Sequence, residues 1–329
     1  MSSQPRPVQW KLHLLVLLLA VAFPFVFRSS FMVNFGVLAL FYAFIGQSWN
    51  ISGGFAGQLS FGHVAFFGVG AYASTIVQMR LGWSPWLGLP ASALAGALTG
   101  GIIAGLSFRA GLKGSYFALI TLAFAEVLRI VSNSIPVTGG GLGMLIPMKA
   151  GVANFQFAER IGFYFLILLL TAASIALAEW LRHSRFGAHL AAIRENEDAA
   201  MALGIDVFTE KVKVMLLSGA IGGLGGCFFA QYFLYIDPTI VFGVDKSVEM
   251  LLVSMIGGAG TVYGPLLGAV LLALVSDVTR VMAQMQGLSL VLYGGLLVVI
   301  IAFLPNGLIH LFKRRRPAPP VVPAAQELR

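Results

Sequence analysis

Long apolar stretches recur along the whole chain and are separated by short polar or charged segments. Most of them approach or exceed the roughly 18 residues that a helix needs to cross the hydrocarbon core of a bilayer. Because lipid offers the backbone no hydrogen-bond partners, such stretches predict helices that satisfy their own backbone groups. The candidate spans lie near residues 12–27, 31–50, 62–79, 86–107, 115–133, 161–181, 214–234, 246–257, 262–279 and 286–304. The pattern predicts an all-α polytopic membrane protein with about ten transmembrane helices.

The composition supports the same class. Hydrophobic residues make up 58% of the chain and charged residues 10%, and the mean hydropathy is +0.88. A soluble core could not bury so much apolar surface. The 39 glycines favour close helix packing in lipid, where small residues let backbones approach each other. The single cysteine, Cys227, lies in an apolar stretch and has no intrachain partner for a disulfide.

The basic residues predict the orientation in the membrane. If the N-terminus is cytoplasmic, the inside segments hold 14 Lys and Arg and the outside segments hold 6, while Arg129 within a span completes the 21. This bias follows the positive-inside rule, so both termini are predicted to be cytoplasmic. Because the basic residues lie at span ends rather than on one soluble face, the net charge of +8 does not indicate nucleic-acid binding.

Polarity and orientation together divide the chain into three parts. A cytoplasmic N-terminus at 1–11 is followed by the transmembrane domain at 12–312 and by a cytoplasmic tail at 313–329. The tail starts with a basic run and continues rich in Pro and Ala, a composition that favours disorder. The longest charged interruption of the transmembrane domain is the cytoplasmic segment 182–213.

A short capped helix is predicted inside this segment. Asn196 can cap its N-terminus, and Glu197 and Asp198 suit the positive end of the helix dipole. Gly204 suits the left-handed position that follows the last turn. These residues therefore predict both ends of the helix.

The sides of this helix are small. Ala199 and Ala200, with Leu203 at helical spacing, would let another surface approach closely. A short helix of this kind between membrane spans predicts a docking element for a soluble partner. The alternative is an ordinary amphipathic loop helix that lies on the bilayer.

Two glycine-rich breaks interrupt the apolar stretches, at 53–63 and 257–265. Neither has the Gly-Lys-Ser/Thr ending of a phosphate-binding loop. In transporters, such breaks often mark interrupted helices around the substrate path, and the alternative is two tight turns between spans. The outside segment 134–158 is also glycine-rich, and it predicts either a docking or gating loop or a flexible connection.

Few ionisable residues lie within spans. Glu126 and Arg129 are three apart on one helix and can pair, either as a structural ion pair between helices or in the substrate path. His63 lies near a break, where a lone histidine is more often a hydrogen-bonding residue than a ligand, so no metal site is predicted. No Ser/His/Asp arrangement or carboxylate pair indicates catalysis, so we expect neither an enzyme nor a cofactor.

Several blocks of the sequence carry a family resemblance. Asp198-Ala199-Ala200-x-x-x-Gly204 is similar to the Glu-Ala-Ala-x-x-x-Gly signature of ABC importer permeases, with Asp in place of Glu. The blocks at 59–72, 114–126, 193–200 and 257–265 resemble the M-type subunit of the bacterial branched-chain amino-acid permease family. The chain departs from other importer families after the glycine, because it lacks their Ile-x-Leu-Pro ending.

The resemblance implies a role in a larger complex. Such a permease works with a second, H-type permease, two ATP-binding cassette ATPase subunits and a periplasmic amino-acid-binding protein, and it hydrolyses no ATP itself. It would be a multi-pass protein of the bacterial inner membrane, in contact with lipid. The ATPase-coupling residues would be Arg194, Glu195, Asn196, Glu197, Asp198, Ala199, Ala200, Leu203 and Gly204.

A substrate pathway can also be suggested. Its candidate residues are Gln58, Ser60, His63, Tyr116, Thr121 and Glu126. An apolar lining that includes Phe66, Phe67 and Phe117 would suit an aliphatic amino acid. One alternative is a urea or short-chain amide ABC importer with similar subunits. Another is an ion-coupled secondary transporter, which would need more buried ionisable groups than this chain offers.

Overall fold

The computed structural model describes residues 10–282, 294–295, 298 and 307–309. The predicted tenth span at 286–304 lies outside this description except for three residues. Residues 1–9 and the tail at 313–329 also lie outside it. The described fold therefore comprises the first nine predicted spans and the segments between them.

Helices dominate the described residues. In chain order they are α1 (Trp10–Val26), α2 (Ser30–Trp49), α3 (His63–Met79), α4 (Gly88–Arg109), α5 (Gly114–Ser134), α6 (Arg160–His183), α7 (Arg185–Glu195), α8 (Glu197–Ala202), α9 (Val207–Phe233), α10 (Pro238–Val241), α11 (Val244–Gly257) and α12 (Gly264–Met282). Among the described residues, five stretches are long and apolar enough to cross a membrane, and α1 and α12 contain shorter apolar stretches. The helical membrane class is confirmed, and the count of ten crossings stays a prediction.

Helix α9 packs against α3 and α4 through glycine. A Cβ atom built on Gly96 would lie 2.2 Å from the carbonyl oxygen of Gly219, and one on Gly223 would lie 2.1 Å from that of Ser92. A Cβ on Gly70 of α3 would lie 2.3 Å from the Cα of Gly223. The helix backbones therefore touch directly, as expected where small residues take the place of side-chain packing in lipid.

The two glycine-rich breaks have different structures. The first continues α2 as a buried π-helical segment at Asn50–Phe55, and the chain then turns through residues 56–62 before α3 begins. The run Ser30–Phe55 is therefore one continuous helix, and the turn that follows it is what the tight-turn alternative predicts. The second, at 257–265, forms the turn between α11 and α12, as the tight-turn alternative predicts.

The segment 134–158 is ordered by contacts with the rest of the chain. Its strand β1 (Met144–Leu145) pairs antiparallel with β2 (Tyr235–Ile236), which follows α9. The indole nitrogen of Trp86 donates a hydrogen bond of 2.7 Å to the carbonyl oxygen of Val152. These contacts argue against the flexible-connection alternative.

Helix α5 lies at the periphery of the chain. Only 22% of its apolar stretch is buried, compared with 67% for α9. Tyr116, Leu119, Val127 and Ile130 are more than half exposed along its outer face. This face is therefore available to lipid or to another subunit.

Candidate functional site

The charged segment 182–213 folds into two short capped helices ahead of α9. The Ser184 hydroxyl accepts a hydrogen bond of 3.0 Å from the Gly187 amide at the start of α7. The Asn196 side chain accepts one of 3.0 Å from the Ala199 amide at the start of α8. Gly204 follows α8 with a φ of +82°. The predicted capped helix is thus confirmed at both ends.

One side of α8 faces the protein and the other faces solvent. Ala200 is 1% exposed and packs with Ile193 and Val207, whereas Leu203 is 80% exposed and Ala199 is exposed with it. The prediction that Ala200 shares the outer face is wrong. Residues three and four apart can both share a helix face, so spacing alone did not separate Ala199 from Ala200. The packing of Ala200 against Ile193 and Val207 decides which of them points inward.

The orientation of α8 is fixed by buried charge. The Glu197 carboxylate forms an ion pair with Lys211, and its second oxygen lies 3.2 Å from Lys113 Nζ. The Lys211 side chain is 3% exposed, and its ammonium also lies 4.9 Å from the centre of the Phe108 ring. We call Lys113, Glu197 and Lys211 the ionic lock, because they join the α4–α5 turn, α8 and α9.

The lock also shifts the titration of Glu197. Burial alone would raise the pKa of this carboxyl, but the hydrogen bonds and positive charges of Lys211 and Lys113 outweigh it and hold the pKa below its ordinary value. Sequence reasoning missed the lock and used the two lysines only to predict orientation. No local spacing could have revealed it, since its three members are far apart in the chain.

The two glycine-rich breaks meet each other at Asn50. This buried side chain accepts a hydrogen bond of 2.8 Å from the Gly260 amide and donates one of 2.9 Å to the carbonyl oxygen of Thr261. From α7, Arg194 Nη1 donates a hydrogen bond of 2.9 Å to the carbonyl oxygen of Gly54. Three segments that are distant in sequence therefore converge, whereas the neighbouring Glu195 side chain is 78% exposed.

His63 ties the first break to α9. Its Nε2 atom lies 3.0 Å from the Ser52 hydroxyl and 2.9 Å from that of Ser218. The Ser218 hydroxyl also donates to the carbonyl oxygen of Ser48 at 2.7 Å. All four residues are buried, and the expected hydrogen-bonding role of His63 is confirmed.

Three more pathway candidates lie around the same turn. The Gln58 side chain donates a hydrogen bond of 3.0 Å to the carbonyl oxygen of Ala56. The carbonyl oxygen of Ser60 accepts a hydrogen bond of 2.9 Å from the Trp49 indole nitrogen. Thr121 of α5 packs on the turn, since a Cβ on Gly62 would lie 2.1 Å from its carbonyl oxygen. The structure thus brings Gln58, Ser60 and Thr121 close to the His63 region.

The remaining two candidates lie elsewhere, on the outer face of α5. Tyr116 is 75% exposed, and the Glu126 side chain is 44% exposed. Arg129 Nε and Nη2 donate to the Glu126 carboxylate at 2.5–3.1 Å, which confirms the predicted pair. The pair lies within α5, and the choice between a structural role and a role in the substrate path stays a prediction.

The aromatic residues expected to line an apolar pathway are core residues. Phe66, Phe67 and Phe117 have no exposed surface. The Phe66 ring packs edge-on against the His63 ring, and the Phe117 ring stacks on Phe108. Hydrophobicity alone could not separate a pathway lining from the packed interior, because both consist of apolar side chains.

A polar cluster that sequence reasoning missed lies beside a largely apolar cavity of about 320 Å³. Glu179 lies at the centre of this cluster, with its carboxylate 2.7 Å from Arg182 and 3.0 Å from His183. His13 Nε2 lies 3.8 Å from the same carboxylate. The spacing of Glu179, Arg182 and His183 on one helix face was a visible signal.

Comparison with known proteins connects this arrangement with a family. A family profile described as the permease component of branched-chain amino acid transport systems matches residues 31–301. The high-affinity branched-chain amino acid transport system permease protein LivM of Salmonella typhimurium is 29% identical over 92% of this chain and 76% of its own length. The probable branched-chain amino acid transport permease protein LivM of Methanocaldococcus jannaschii is 26% identical over 82% and 90%. The L-arabinose ABC transporter permease protein AraH of Azospirillum brasilense is 28% identical over 73% and 69%. No solved structure gives a significant match.

Proposed function

We propose a transport function for this chain on the premise that it belongs to the permease component family of branched-chain amino acid transport systems. It is the membrane-spanning permease of an ATP-driven importer, and its proposed substrates are the branched-chain amino acids. The proposed partners are a second, H-type permease, two ATPase subunits that hydrolyse the ATP, and a periplasmic amino-acid-binding protein. The proposed location is the bacterial inner membrane, with both termini cytoplasmic.

The observation that carries the docking role is the fixed orientation of α8. Its inner side is held by Ala200 and the ionic lock, and its outer side presents Ala199, Leu203 and the Asp198 carboxylate to solvent. A helix attached in this way can transmit a displacement to the membrane domain, whereas a loosely attached helix would move without the rest of the protein. We therefore propose that the ATPase subunits bind the outer side of α8, which we call the α8 face.

The exposed face of α5 supports a second permease. A charged pair such as Glu126 and Arg129 is costly against hydrocarbon, so it usually faces the interior of a helix bundle or a water-filled path. Cover by another permease would place this pair and Tyr116 at the boundary between the two subunits. In this arrangement the substrate path runs between the two permease subunits. The buried His63 region then packs behind the residues that line the path and holds them in place.

The substrate assignment rests on the family and on two relatives named for branched-chain amino acids. A relative named for L-arabinose shows that similar chains are associated with different solutes. The experiment that tests the proposal is reconstitution in proteoliposomes with ATP, labelled leucine and each partner omitted in turn. Leucine uptake is expected only with the full set. Uptake by this chain alone on an ion gradient would contradict the ATP-driven function, and uptake of urea but not leucine would exclude the proposed substrate.

Single cysteines can test the α8 face and the orientation together. Cys227 is buried, so it should contribute little background labelling. Leu203→Cys is expected to react with a membrane-impermeant maleimide only from the cytoplasmic side, and bound ATPase subunits should slow this reaction several-fold. Asn154→Cys lies in the loop 134–158, on the side of the membrane domain opposite to α8. It should react only from the periplasm, at a rate that the ATPases do not change. A Leu203→Cys rate that is unchanged by the ATPases would contradict docking on this face.

A further inference from the structure

The Arg194 side chain, which is 41% exposed, passes over two glycines of the breaks. Its side chain crosses Gly57, where a Cβ atom would lie 2.7 Å from Arg194 Cγ. Its guanidinium lies against Gly260, where a Cβ atom would lie 2.8 Å from Nη1. Both glycines also have left-handed backbones, with φ of +68° and +73°. The two breaks are thus shaped around this one side chain.

The hydrogen bond of Arg194 reaches the π-helical end of α2. Gly54 lies next to the last residue of the π-helical segment, where backbone carbonyl groups lack helical partners. Its carbonyl oxygen accepts a hydrogen bond of 2.9 Å from Arg194 Nη1. A charged donor makes a stronger hydrogen bond than a neutral one. Arg194 therefore satisfies a backbone group that the break leaves open.

The same place is joined to the α11–α12 turn. Asn50 holds the amide of Gly260 and the carbonyl of Thr261, and a Cβ on Gly54 would lie 2.3 Å from the Gly260 nitrogen. The two breaks are therefore joined into one unit at this point. Arg194 is the residue of α7 that donates a hydrogen bond to this unit.

The position of Arg194 also connects it to the α8 face. Only Asn196 separates α7, which ends at Glu195, from α8, which begins at Glu197. The side chain of Asn196 caps α8, and its amide nitrogen donates to the carbonyl oxygen of Ala192 in α7. A displacement of α8 must therefore shift the last turn of α7 and the side chain that it carries.

We propose that Arg194 is a positioning residue that transmits movement of α8 to the two glycine-rich breaks. The inference rests on the proposed docking of ATPases at the α8 face and adds the route from there into the membrane domain. When the α8 face is displaced, the guanidinium carries the π-helical end of α2 and the α11–α12 turn with it. Arg194 needs no contact with the substrate or the ATPases for this role.

The test uses Arg194→Gln and Arg194→Lys in the complete importer, with Arg185→Gln as the matched control. Arg185 is an exposed arginine at the other end of α7, and the described contacts include no ion pair for it. We expect leucine uptake per ATP to fall about tenfold in Arg194→Gln while the ATPase subunits stay bound, since this variant loses a charge-assisted hydrogen bond. Arg194→Lys can still donate a hydrogen bond to Gly54, so its leucine uptake per ATP should lie between those of Arg194→Gln and Arg185→Gln.

Hydrogen exchange of the purified full chain gives a readout that does not depend on transport. Arg194→Gln should exchange faster than Arg185→Gln in the peptides that cover 50–62 and 258–263. Uptake per ATP within twofold of the control would overturn the proposal, and so would unchanged exchange in these peptides. Loss of the ATPase subunits from the Arg194→Gln complex would also overturn it, because Arg194 would then act in docking. A wild-type chain that binds no ATPases would instead refute the proposed function.

Discussion

Glu197→Gln is expected to lower the free energy of unfolding of the protein by about 3 kcal/mol, since a buried charge that loses its partner costs roughly 3–5 kcal/mol. The stranded charge is Lys211, whose side chain is 3% exposed. Lys113 loses the same partner but is 55% exposed, so water compensates for most of that loss. Unfolding by heat or denaturant in detergent micelles, followed by tryptophan fluorescence, measures the change.

Two further variants make this test specific to the ionic lock. Glu197→Gln combined with Lys211→Met removes both buried charges and should recover most of the stability. Asp198→Asn is the matched control, because its carboxylate is 81% exposed and 3.5 Å from Lys113, so its effect should stay within about 0.5 kcal/mol. Similar losses in the Glu197 and Asp198 variants would show that the lock is not the cause.

The lock also predicts a pH dependence with a definite sign. The pKa of Glu197 is lowered in the folded protein, so its contribution is complete above the ordinary value of 4.5 and is lost as the pH falls through the lowered folded value. The stability difference between the wild type and Glu197→Gln should therefore be constant near neutral pH and shrink below pH 4.5. A difference that grows on acidification would contradict this assignment.

Gly96→Ala is expected to have an effect of similar or greater size. The added methyl carbon would lie 2.2 Å from the carbonyl oxygen of Gly219 and 3.0 Å from the Cα of Gly223. Both are backbone atoms of α9, so α4 and α9 must separate along their contact. Overpacking typically costs 1–3 kcal/mol, and we expect roughly 3 kcal/mol because no side chain can move aside. The measurements are the yield of monodisperse protein in detergent and its midpoint of thermal unfolding.

The same helix supplies the control for this substitution. A Cβ atom on Gly105 of α4 would have no neighbour within 4 Å. Gly105→Ala makes the same chemical change in open space, and it should be neutral or stabilise the helix by up to about 1 kcal/mol. If both alanine variants behaved alike, helix propensity rather than the glycine contact with α9 would explain the result.

The sequence predicted the features that depend on local pattern. The apolar spans follow from the length of uninterrupted hydrophobic stretches, and each of the first nine predicted spans is overlapped by a described helix. Helix α9 begins at Val207, earlier than the predicted start at 214, because its first turns are polar. The cap at Asn196, the turn at Gly204, and the pair of Glu126 and Arg129 follow from spacing within a few residues. These signals need no knowledge of the partners that each segment meets.

The features that it did not predict depend on contacts between distant segments. The rotation of α8, which turns Ala200 inward, is set by the ion pair of Glu197 with Lys211 and by packing on Val207. The contact of Arg194 with Gly54 joins residues 140 positions apart. A single sequence gives the chemistry of each residue in such pairs, but not which of many possible partners it meets.

The outer face of α5 has a consequence for the amount of this subunit in the membrane. Glu126 and Arg129 lie on that face within an apolar stretch, and both remain partly exposed in the isolated chain. If the proposed second permease covers this face, a newly inserted copy without it would expose the pair to the acyl chains, where charge is unfavourable. We then expect the unaccompanied copy to be less stable in the membrane, so that the amount of this subunit follows the supply of that permease.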